Sequence, residues 1–225
     1  MKKVILHLCA DIGSDSLVWE QNGYVVIKVG EKIGVENFSY DGEVFGIIAN
    51  PPCTEFSTAR SDGKARNPKD GMFLVEHCLR IIKECKPKFW VIENPARGVL
   101  HKYLGQPKYK YQPWHYGSPW TKQTALWGEF NIPEKTYTKW EDVPKIDGLY
   151  IRPNRPKPSL AFMHAKAHMK LIDEFKPFQE YVLSQPSRVS SGKGADMSFR
   201  SLCSQKFAKA FYEANSENNT TNSKG

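Results

Sequence analysis

An apolar stretch that ends in two prolines and a cysteine occupies residues 46–53, Gly46-Ile47-Ile48-Ala49-Asn50-Pro51-Pro52-Cys53. Val44 to Ala49 are apolar enough to predict a buried strand, and the two prolines prevent its continuation because proline lacks a backbone N–H. Cys53 is therefore expected on a rigid turn at the carboxyl end of a strand, where open α/β sheets place their active sites. A thiol there is a candidate nucleophile, although most free cysteines are small buried hydrophobic residues.

A second short apolar run ends in a carboxylic acid, Phe89-Trp90-Val91-Ile92-Glu93-Asn94-Pro95. It has the same design as the first run, since polar residues follow the strand and a proline stops it. We expect Glu93 and Cys53 on neighbouring strands of one parallel sheet. One thiol and one carboxylic acid would then share one edge of that sheet.

The rest of the chain continues this alternation of strands and helices. The first segments predict a strand, a turn, a helix and a strand, the unit that holds a nucleotide-like cofactor at the turn. Further helices are predicted from cap residues and helical spacing. The predicted segments are strands at Lys3–Cys9, Tyr24–Val29 and Thr124–Trp127, and helices from Ser16 to Gln21, Asn67 to Cys85, Ala161 to Phe175 and Ser204 to Ala214.

Composition fits an ordinary globular protein with a basic charge balance. The chain has 225 residues, 40% hydrophobic residues and a formal net charge of +8, which permits attraction to phosphate backbones. Its five cysteines are scattered without a Cys-x-x-Cys pair, so we expect reduced thiols and no metal site. His164 and His168 lie four residues apart but lack a nearby third ligand, so ordinary surface histidines are the preferred interpretation. Apolar runs too short for a bilayer favour a cytoplasmic protein.

Three motifs, in order and spacing, resemble those of the DNA cytosine-5 methyltransferases, in particular a small member of phage or bacterial type. Pro52-Cys53 matches the family's Pro-Cys nucleophile, and Glu93-Asn94-Pro95 matches its Glu-Asn-Val loop. Tyr116-Gly117-Ser118-Pro119 is similar to the Tyr-Gly-x-Pro that precedes the family's Gln-x-Arg-x-Arg. The resemblance implies an α/β fold with a Rossmann-like, doubly wound, mostly parallel sheet of the class I methyltransferase type.

The resemblance also implies a domain organisation. Residues 1–214 would form a single catalytic domain, and residues 215–225 would be a disordered tail. Residues 131–160 are rich in proline and charge, and they form a reduced loop excursion where larger members carry a target-recognition domain. Sequence-selective reading of DNA would then be weak or supplied by another protein.

The methyl donor implied by the family is S-adenosylmethionine, held by a Phe-x-Gly-x-Gly loop. Cys9-Ala10-Asp11-Ile12-Gly13 stands at that place, with Asp11 instead of the first glycine, so a different one-carbon donor is an alternative. Glu31 and Glu36 are candidates for ribose or adenine contacts, or are surface carboxylates. The cofactor-binding residues predicted in this way are Cys9, Ala10, Asp11, Gly13, Glu31, Glu36, Asn50 and Pro51.

The catalytic roles implied by the family fall on Cys53, as nucleophile, and Glu93, as the acid at the pyrimidine ring. The Gln-x-Arg-x-Arg motif stands here as Trp120-Thr121-Lys122-Gln123-Thr124, so Lys122 keeps one of the positive charges and Thr124 only a hydroxyl. Lys122 is accordingly the third predicted catalytic residue. The predicted substrate contacts are Pro52, Ser57, Arg60, Asn94, Pro95 and Thr124.

Three functions follow from these patterns. The first is methyl transfer to C5 of cytosine in DNA through a covalent bond from Cys53 to C6. The second keeps Cys53 and Glu93 but uses another donor, or a uracil, nucleotide, RNA or single-stranded substrate. The third is a catalytically silent relative that binds nucleic acid through the basic and aromatic residues between Arg97 and Gln123.

Overall fold

The computed structural model describes residues 2–10, 12–57, 67–186 and 194–217, and within them six strands form one sheet. The apolar runs of the sequence form its central strands, and the prolines after them end two of the strands as expected. The strands are β1 (Val4–Leu8), β2 (Val25–Val29), β3 (Gly46–Ala49), β4 (Phe89–Pro95), β5 (Tyr109–Tyr111) and β6 (Thr124–Glu129).

The sheet has the strand order β2-β1-β3-β4-β6-β5. β1 pairs in parallel with β2 and β3, and β3 pairs in parallel with β4, whereas β6 is antiparallel to both of its neighbours. The chain passes from β1 to β2 on one side and returns to β3 on the other, so the strand order reverses at β1. Such a reversal creates the crevice in which open α/β sheets bind ligands. The predicted Rossmann-like α/β fold is confirmed.

Helices cover both faces of this sheet. α1 (Leu17–Gln21) places Trp19 on the ring of Phe89, with 5.1 Å between the ring centroids. α2 (Pro68–Cys85) buries Val75, Cys78 and Ile81 in one core with Leu6, Leu8 and Ile92. Because successive side chains of a strand point to opposite faces, Phe89 and Ile92 of β4 lie on different sides, and the sheet is doubly wound. A short third helix, α3 (His101–Leu104), follows β4.

The face beneath α1 carries a close approach between two strands. Gly46 of β3 lies opposite Phe89 of β4 in the strand register, and the Phe89 ring occupies the space that a side chain on residue 46 would need. Gly46 is itself buried. Glycine is therefore required here by space, because any Cβ would displace the ring on which Trp19 rests.

The described residues separate into two compact units, one within 2–111 and 123–132 and the other within 112–122 and 133–217. The sheet belongs to the first unit. The second contains α4 (Ala165–His168), α5 (Gln179–Ser184), α6 (Ala195–Ser201) and α7 (Gln205–Asn215), with short 3-10 turns between them. Its core includes the buried rings of Trp120, Phe175 and Phe199. The prediction of one catalytic domain over 1–214, with a reduced excursion at 131–160, stays a prediction.

One predicted helix of the second unit is wrong. Residues 161–175 were expected to form a single helix, but only Ala165–His168 is α-helical, followed by 3-10 turns at Met169–Leu171 and Asp173–Phe178. The His168 ring is buried and not on the surface as predicted; its Nε2 accepts the Tyr150 N–H at 3.2 Å, and its Nδ1–H donates to the His164 carbonyl at 2.9 Å. A side chain that bonds the backbone in this way competes with continuation of the helix.

The predicted serine cap at the last helix is confirmed. The Ser204 hydroxyl accepts the Phe207 N–H at 3.2 Å, as a side chain at the N-cap does. α7 runs through Asn215, one residue beyond its predicted end, and residues 218–225 of the predicted tail lie outside the described residues. Among the helices that are described, none has the length and apolar character needed to cross a bilayer.

Candidate active site

The turn that carries Cys53 and the end of β4 that carries Glu93 lie side by side in the first unit. Ala49, the last residue of β3, is paired with Ile92 of β4, so Asn50 and Glu93 are the next residues along two adjacent parallel strands. The buried Asn94 amide donates to the Pro51 carbonyl at 3.0 Å and joins the end of β4 to the segment that follows β3. The predicted convergence of the two strand ends is confirmed at the level of the backbone.

The Cys53 turn is anchored by a buried ring. The Cys53 carbonyl accepts the N–H groups of Phe56 at 3.0 Å and Ser57 at 2.7 Å. Phe56 is fully buried, and its own carbonyl accepts the Val99 N–H at 2.9 Å. Cys53 itself is half-buried and Pro52 is exposed, so the thiol stands on a fixed turn at the edge of the core.

Three side chains lead from the core to the Glu93 carboxylate. Asn50 donates its amide N–H to Glu93 Oε2 at 3.3 Å, and His7 Nε2 lies 2.7 Å from Asn50 Oδ1. His7 Nδ1 in turn lies 2.8 Å from the Ser16 hydroxyl. His7 and Ser16 are 2% and 0% exposed, so this arrangement carries polar groups through the apolar core to the candidate acid.

The charge state of His7 follows from its burial. Burial lowers the pKa of His7, because an imidazolium inside the protein loses its hydration. Nearby Asp15 and the Asn50 hydrogen bond act in the opposite direction, and Lys28 adds to the lowering. His7 is therefore neutral at physiological pH and carries one N–H.

The predicted donor loop follows β1 at the switch point of the sheet. The Ala10 N–H is bonded to Val29 O at 3.1 Å, which places the loop beside the end of β2. Cys9 has a positive φ of 55° and directs its sulfur to 3.9 Å from Cys78 of α2, into the core. Gly13 has a φ of 77° and the Lys28 side chain lies against it. Asp11, the most unusual residue of this loop, lies outside the described residues.

The two candidate ribose contacts are both exposed. Glu31 comes two residues after the end of β2, beside β1, at the edge of the sheet that also carries Asn50. Glu36 lies farther along the loop, and its carboxylate packs against Gly34 of its own turn. Glu31 thus stands at the strand end where nucleotide-binding folds place their ribose carboxylate.

The residues at the Gln-x-Arg-x-Arg position fall into different units. Lys122, in the second unit, donates from Nζ to the carbonyls of Ser201 at 2.9 Å and Leu202 at 3.1 Å. Thr124, in the first unit, is buried as the first residue of β6, opposite Pro95. Lys122 therefore holds the backbone that precedes α7.

The Tyr116–Pro119 motif is built into a buried polar cluster of the second unit. The Ser118 hydroxyl donates to the Glu174 carboxylate at 2.8 Å and lies 2.6 Å from the Ser204 hydroxyl. The Gln205 N–H donates to the other Glu174 oxygen at 2.7 Å. Burial raises the pKa of Glu174, while these hydrogen bonds act against the rise. The motif fixes the start of α7.

Comparison with known proteins gives a family match over part of the chain. Residues 9–109 match the family model described as C-5 cytosine-specific DNA methylase. The match covers less than half of the 225 residues of the chain. The matched segment contains Cys53 and Glu93, together with the donor loop.

Two curated relatives align with parts of the chain. The Type II methyltransferase M1.HphI of Haemophilus parahaemolyticus is 26% identical over 52% of this chain and 37% of its own length. A probable DNA (cytosine-5)-methyltransferase of Frog virus 3 is 28% identical over 45% of this chain and 54% of its own length. The chain thus spans between about a third and a half of these relatives.

A solved structure also aligns with the chain. It is a candidate DNA modification methyltransferase encoded within an E. coli prophage, 17% identical, covering 71% of this chain and 53% of the other, with a TM-score of 0.42.

Of the residues that the cytosine-5 methylase resemblance selects, the structure brings one group together at the ends of β3 and β4. This group contains Asn50, Pro51, Pro52, Cys53, Ser57, Glu93, Asn94 and Pro95. Arg60 lies outside the described residues. No cluster of three His, Cys, Asp or Glu side chains that could hold a metal occurs in the described part of the chain.

Sequence reasoning missed His7 and Ser16. Both lie in segments whose pattern predicts only a strand and a helix start, and a single histidine in an apolar strand gives no indication of its partner. The feature of the sequence that could have indicated these contacts was the polar side chain of His7 within an apolar strand. A buried polar side chain inside a central strand needs a hydrogen-bond partner, and the nearest candidates were the polar residues at the ends of the adjacent strands.

Proposed function

We propose that this chain transfers a methyl group to C5 of cytosine in DNA, with S-adenosylmethionine as donor. The observation that carries the proposal is the adjacency of the Cys53 turn and the end of β4 with Glu93, joined by the bonds from Asn94 to Pro51 and from Asn50 to Glu93. A nucleophile and an acid on neighbouring strand ends suit a flat ring that must be attacked at one atom and stabilised at another. The match of residues 9–109 to the C-5 cytosine-specific DNA methylase model supports cytosine as that ring.

The chemistry begins with Cys53. The Cys53 thiolate adds to C6 of cytosine, the C5–C6 double bond opens, and the electron pair is delocalised toward N3. Glu93 donates a hydrogen bond or a proton at N3 and stabilises the developing charge. C5 thereby becomes enamine-like and accepts the methyl group. A base then removes the C5 proton, the double bond re-forms, and Cys53 leaves as thiolate.

The crevice where the strand order reverses has groups that suit S-adenosylmethionine. The Glu31 carboxylate stands at the end of β2, where it can accept hydrogen bonds from ribose hydroxyls. The loop of Cys9, Ala10 and Gly13 stands beside it, held by the bond from Ala10 to Val29. When bound there, the donor supplies a methyl group activated by a positive sulfur. Asn50 and Pro51 follow β3 on the other side of the crevice.

DNA is the proposed partner, and in a duplex the target base must leave the stack to reach Cys53. Pro52, Ser57, Arg60, Pro95 and Thr124 are the proposed substrate contacts. In this proposal Lys122 does not act as a catalytic cation, because its ammonium group donates to the Ser201 and Leu202 carbonyls. We assign it the support of the segment before α7.

A trapped adduct tests the proposal. The protein is incubated with S-adenosylmethionine and an oligonucleotide that contains 5-fluorocytosine, and a denaturation-resistant complex is sought on a gel. Fluorine at C5 cannot leave as a proton does, so the Cys53 bond persists. Cys53→Ser should abolish the complex, whereas Cys85→Ser, at a half-buried thiol of α2, should retain it. Absence of a complex in the wild type overturns the covalent mechanism.

A further inference from the structure

The donor and the acceptor can be assigned in each of the hydrogen bonds between His7, Asn50 and Glu93. A carboxylate only accepts, so the amide nitrogen of Asn50 is the atom that faces Glu93, and its oxygen faces His7. That oxygen needs a donor, which places the single proton of neutral His7 on Nε2. His7 Nδ1 is then left as an acceptor 2.8 Å from the Ser16 hydroxyl, whose one proton also lies within reach of the Gly13 carbonyl at 3.2 Å.

We propose that His7 is a positioning residue for Glu93, because its Nε2–H holds the Asn50 amide in the orientation that donates to the carboxylate. The role of Glu93 at the pyrimidine rests on the proposed function. The orientation of Asn50 by His7 rests on the distances alone, 2.7 Å from Nε2 to Oδ1 and 3.3 Å from the amide nitrogen to Glu93.

Burial makes this arrangement specific. His7 is 2% exposed, and each of its ring nitrogens lies within hydrogen-bond distance of a side chain inside the protein. Ser16, fully buried at the start of α1, fixes the other ring nitrogen. A residue that cannot donate at Nε2 would leave Asn50 Oδ1 without this partner, and the amide could rotate away from Glu93.

Loss of the Asn50 hydrogen bond would act on Glu93 in two ways. A hydrogen bond to the ionised carboxylate favours ionisation, so its loss raises the pH at which Glu93 is half-protonated. The acid would also be less fixed relative to the Cys53 turn, and catalytic rates depend strongly on such placement. Both effects are measurable.

The variants His7→Phe and His7→Gln test the inference, since glutamine retains an N–H near the Nε2 position and phenylalanine does not. In protein labelled with ¹³C-glutamate, with Glu93→Gln for assignment, His7→Phe should raise the Glu93 titration midpoint by about one pH unit. It should slow adduct formation with the 5-fluorocytosine oligonucleotide about ten- to a hundredfold. His7→Gln should restore most of both. His101→Phe, at an exposed histidine, is the control that should change neither.

The outcomes separate this inference from the proposed function. If the wild type forms no adduct, the proposed function fails, and the Glu93 titration still decides whether His7 orients Asn50. If the wild type forms the adduct but the Glu93 midpoint is the same in His7→Phe, the inference is overturned. Equal adduct rates for the two variants also overturn it.

A measurement on the unmodified protein covers the case in which His7→Phe does not fold. The ¹⁵N spectrum of the histidine rings should show His7 neutral at pH 7, with the proton on Nε2. A proton on Nδ1 contradicts the direction of the hydrogen bonds and overturns the inference.

Discussion

Glu93 carries the acid function in the proposed reaction, and its replacement separates acid catalysis from nucleophilic attack. Glu93→Gln keeps the shape and the possible contact with Asn50 but cannot donate a proton to N3. We expect adduct formation with the 5-fluorocytosine oligonucleotide to slow about 10²- to 10⁴-fold, the usual contribution of a positioned acid. Glu129→Gln, at an exposed position of β6, should leave the rate unchanged. An unaltered rate in Glu93→Gln would remove Glu93 from the mechanism.

His115 gives the second unit a defined response to acid. Burial, followed by the nearby charges of Lys135 and Lys157, lowers the pKa of His115 from 6.5 to about 4. Below about pH 6.5 His115 is protonated in the unfolded chain, whereas in the folded protein it stays neutral until about pH 4. The free energy of unfolding should therefore fall as the pH decreases from about 6.5 toward 4. The neutral ring also accepts the Gln112 N–H at 3.2 Å.

His115→Gln removes this titration. We expect the decrease of Tm between pH 7 and 4.5, measured by circular dichroism, to be smaller in His115→Gln than in the wild type. His77→Gln, at a histidine of α2, is the comparison and should follow the wild type. Identical pH profiles for His115→Gln and the wild type would exclude this residue as the source of the acid sensitivity.

At the scale of elements, α2 ends at a residue with unfavourable backbone geometry. Lys86, its C-cap, has a left-handed conformation with φ of 47°. L-residues other than glycine are strained there, and glycine is the usual residue at this place. Lys86→Gly should therefore raise the free energy of unfolding by about 0.5–1 kcal/mol, measured by urea denaturation.

The matched control lies three residues earlier in the same helix. Lys83 is also exposed but helical, so Lys83→Gly should lower the free energy of unfolding by about 1 kcal/mol. We thus expect Lys86→Gly and Lys83→Gly to change the free energy of unfolding in opposite directions. Two changes of the same sign would contradict the helix end given by the structure.

Elements were predictable from the sequence where local signals agreed with packing. The central strands were found because apolar runs end at prolines, and α2 was found because Asn67 and Pro68 mark its start and Pro87 follows its end. The predicted helix at 161–175 does not form, because the buried His168 ring bonds the backbone of His164. No pattern of apolar residues reveals such a contact. The positions of Cys53 and Glu93 were accessible to sequence reasoning for the same reason as the strands.

The hydrogen-bond partners of side chains could not be predicted from the sequence in the same way. Lys122 was placed by its motif as a catalytic charge, but a motif gives the position of an ammonium group and not the two carbonyls that it contacts. His7 shows the converse case, since its partner Asn50 is 43 residues away in the sequence and meets it only through the pairing of β1 with β3. Long-range polar contacts of this kind are set by topology rather than by local pattern.

At the scale of the whole molecule, the net charge of +8 predicts how DNA binding should depend on salt. Each phosphate neutralised by lysine or arginine releases counterions, so affinity falls steeply as salt increases. For about four phosphate contacts we expect the Kd for duplex DNA to rise roughly a hundredfold between 50 and 200 mM salt, measured by fluorescence anisotropy.

Cys53→Ser should show the same salt dependence, because binding of the backbone precedes the covalent step. The comparison separates attraction to phosphates from chemistry at the base. A Kd that does not respond to salt would mean that the basic residues of this chain do not contact the backbone of DNA.

The contact of Gly46 with Phe89 has a consequence for attempts to engineer this protein. The two residues lie at the start of their strands, at the edge of the sheet remote from Cys53 and Glu93. Libraries that randomise the chain and are screened for expression should therefore return glycine almost alone at position 46. Substitutions or insertions intended to change the target preference should be made in the loops at the opposite edge of the sheet. There they leave the packing of the Phe89 ring against Gly46 unchanged.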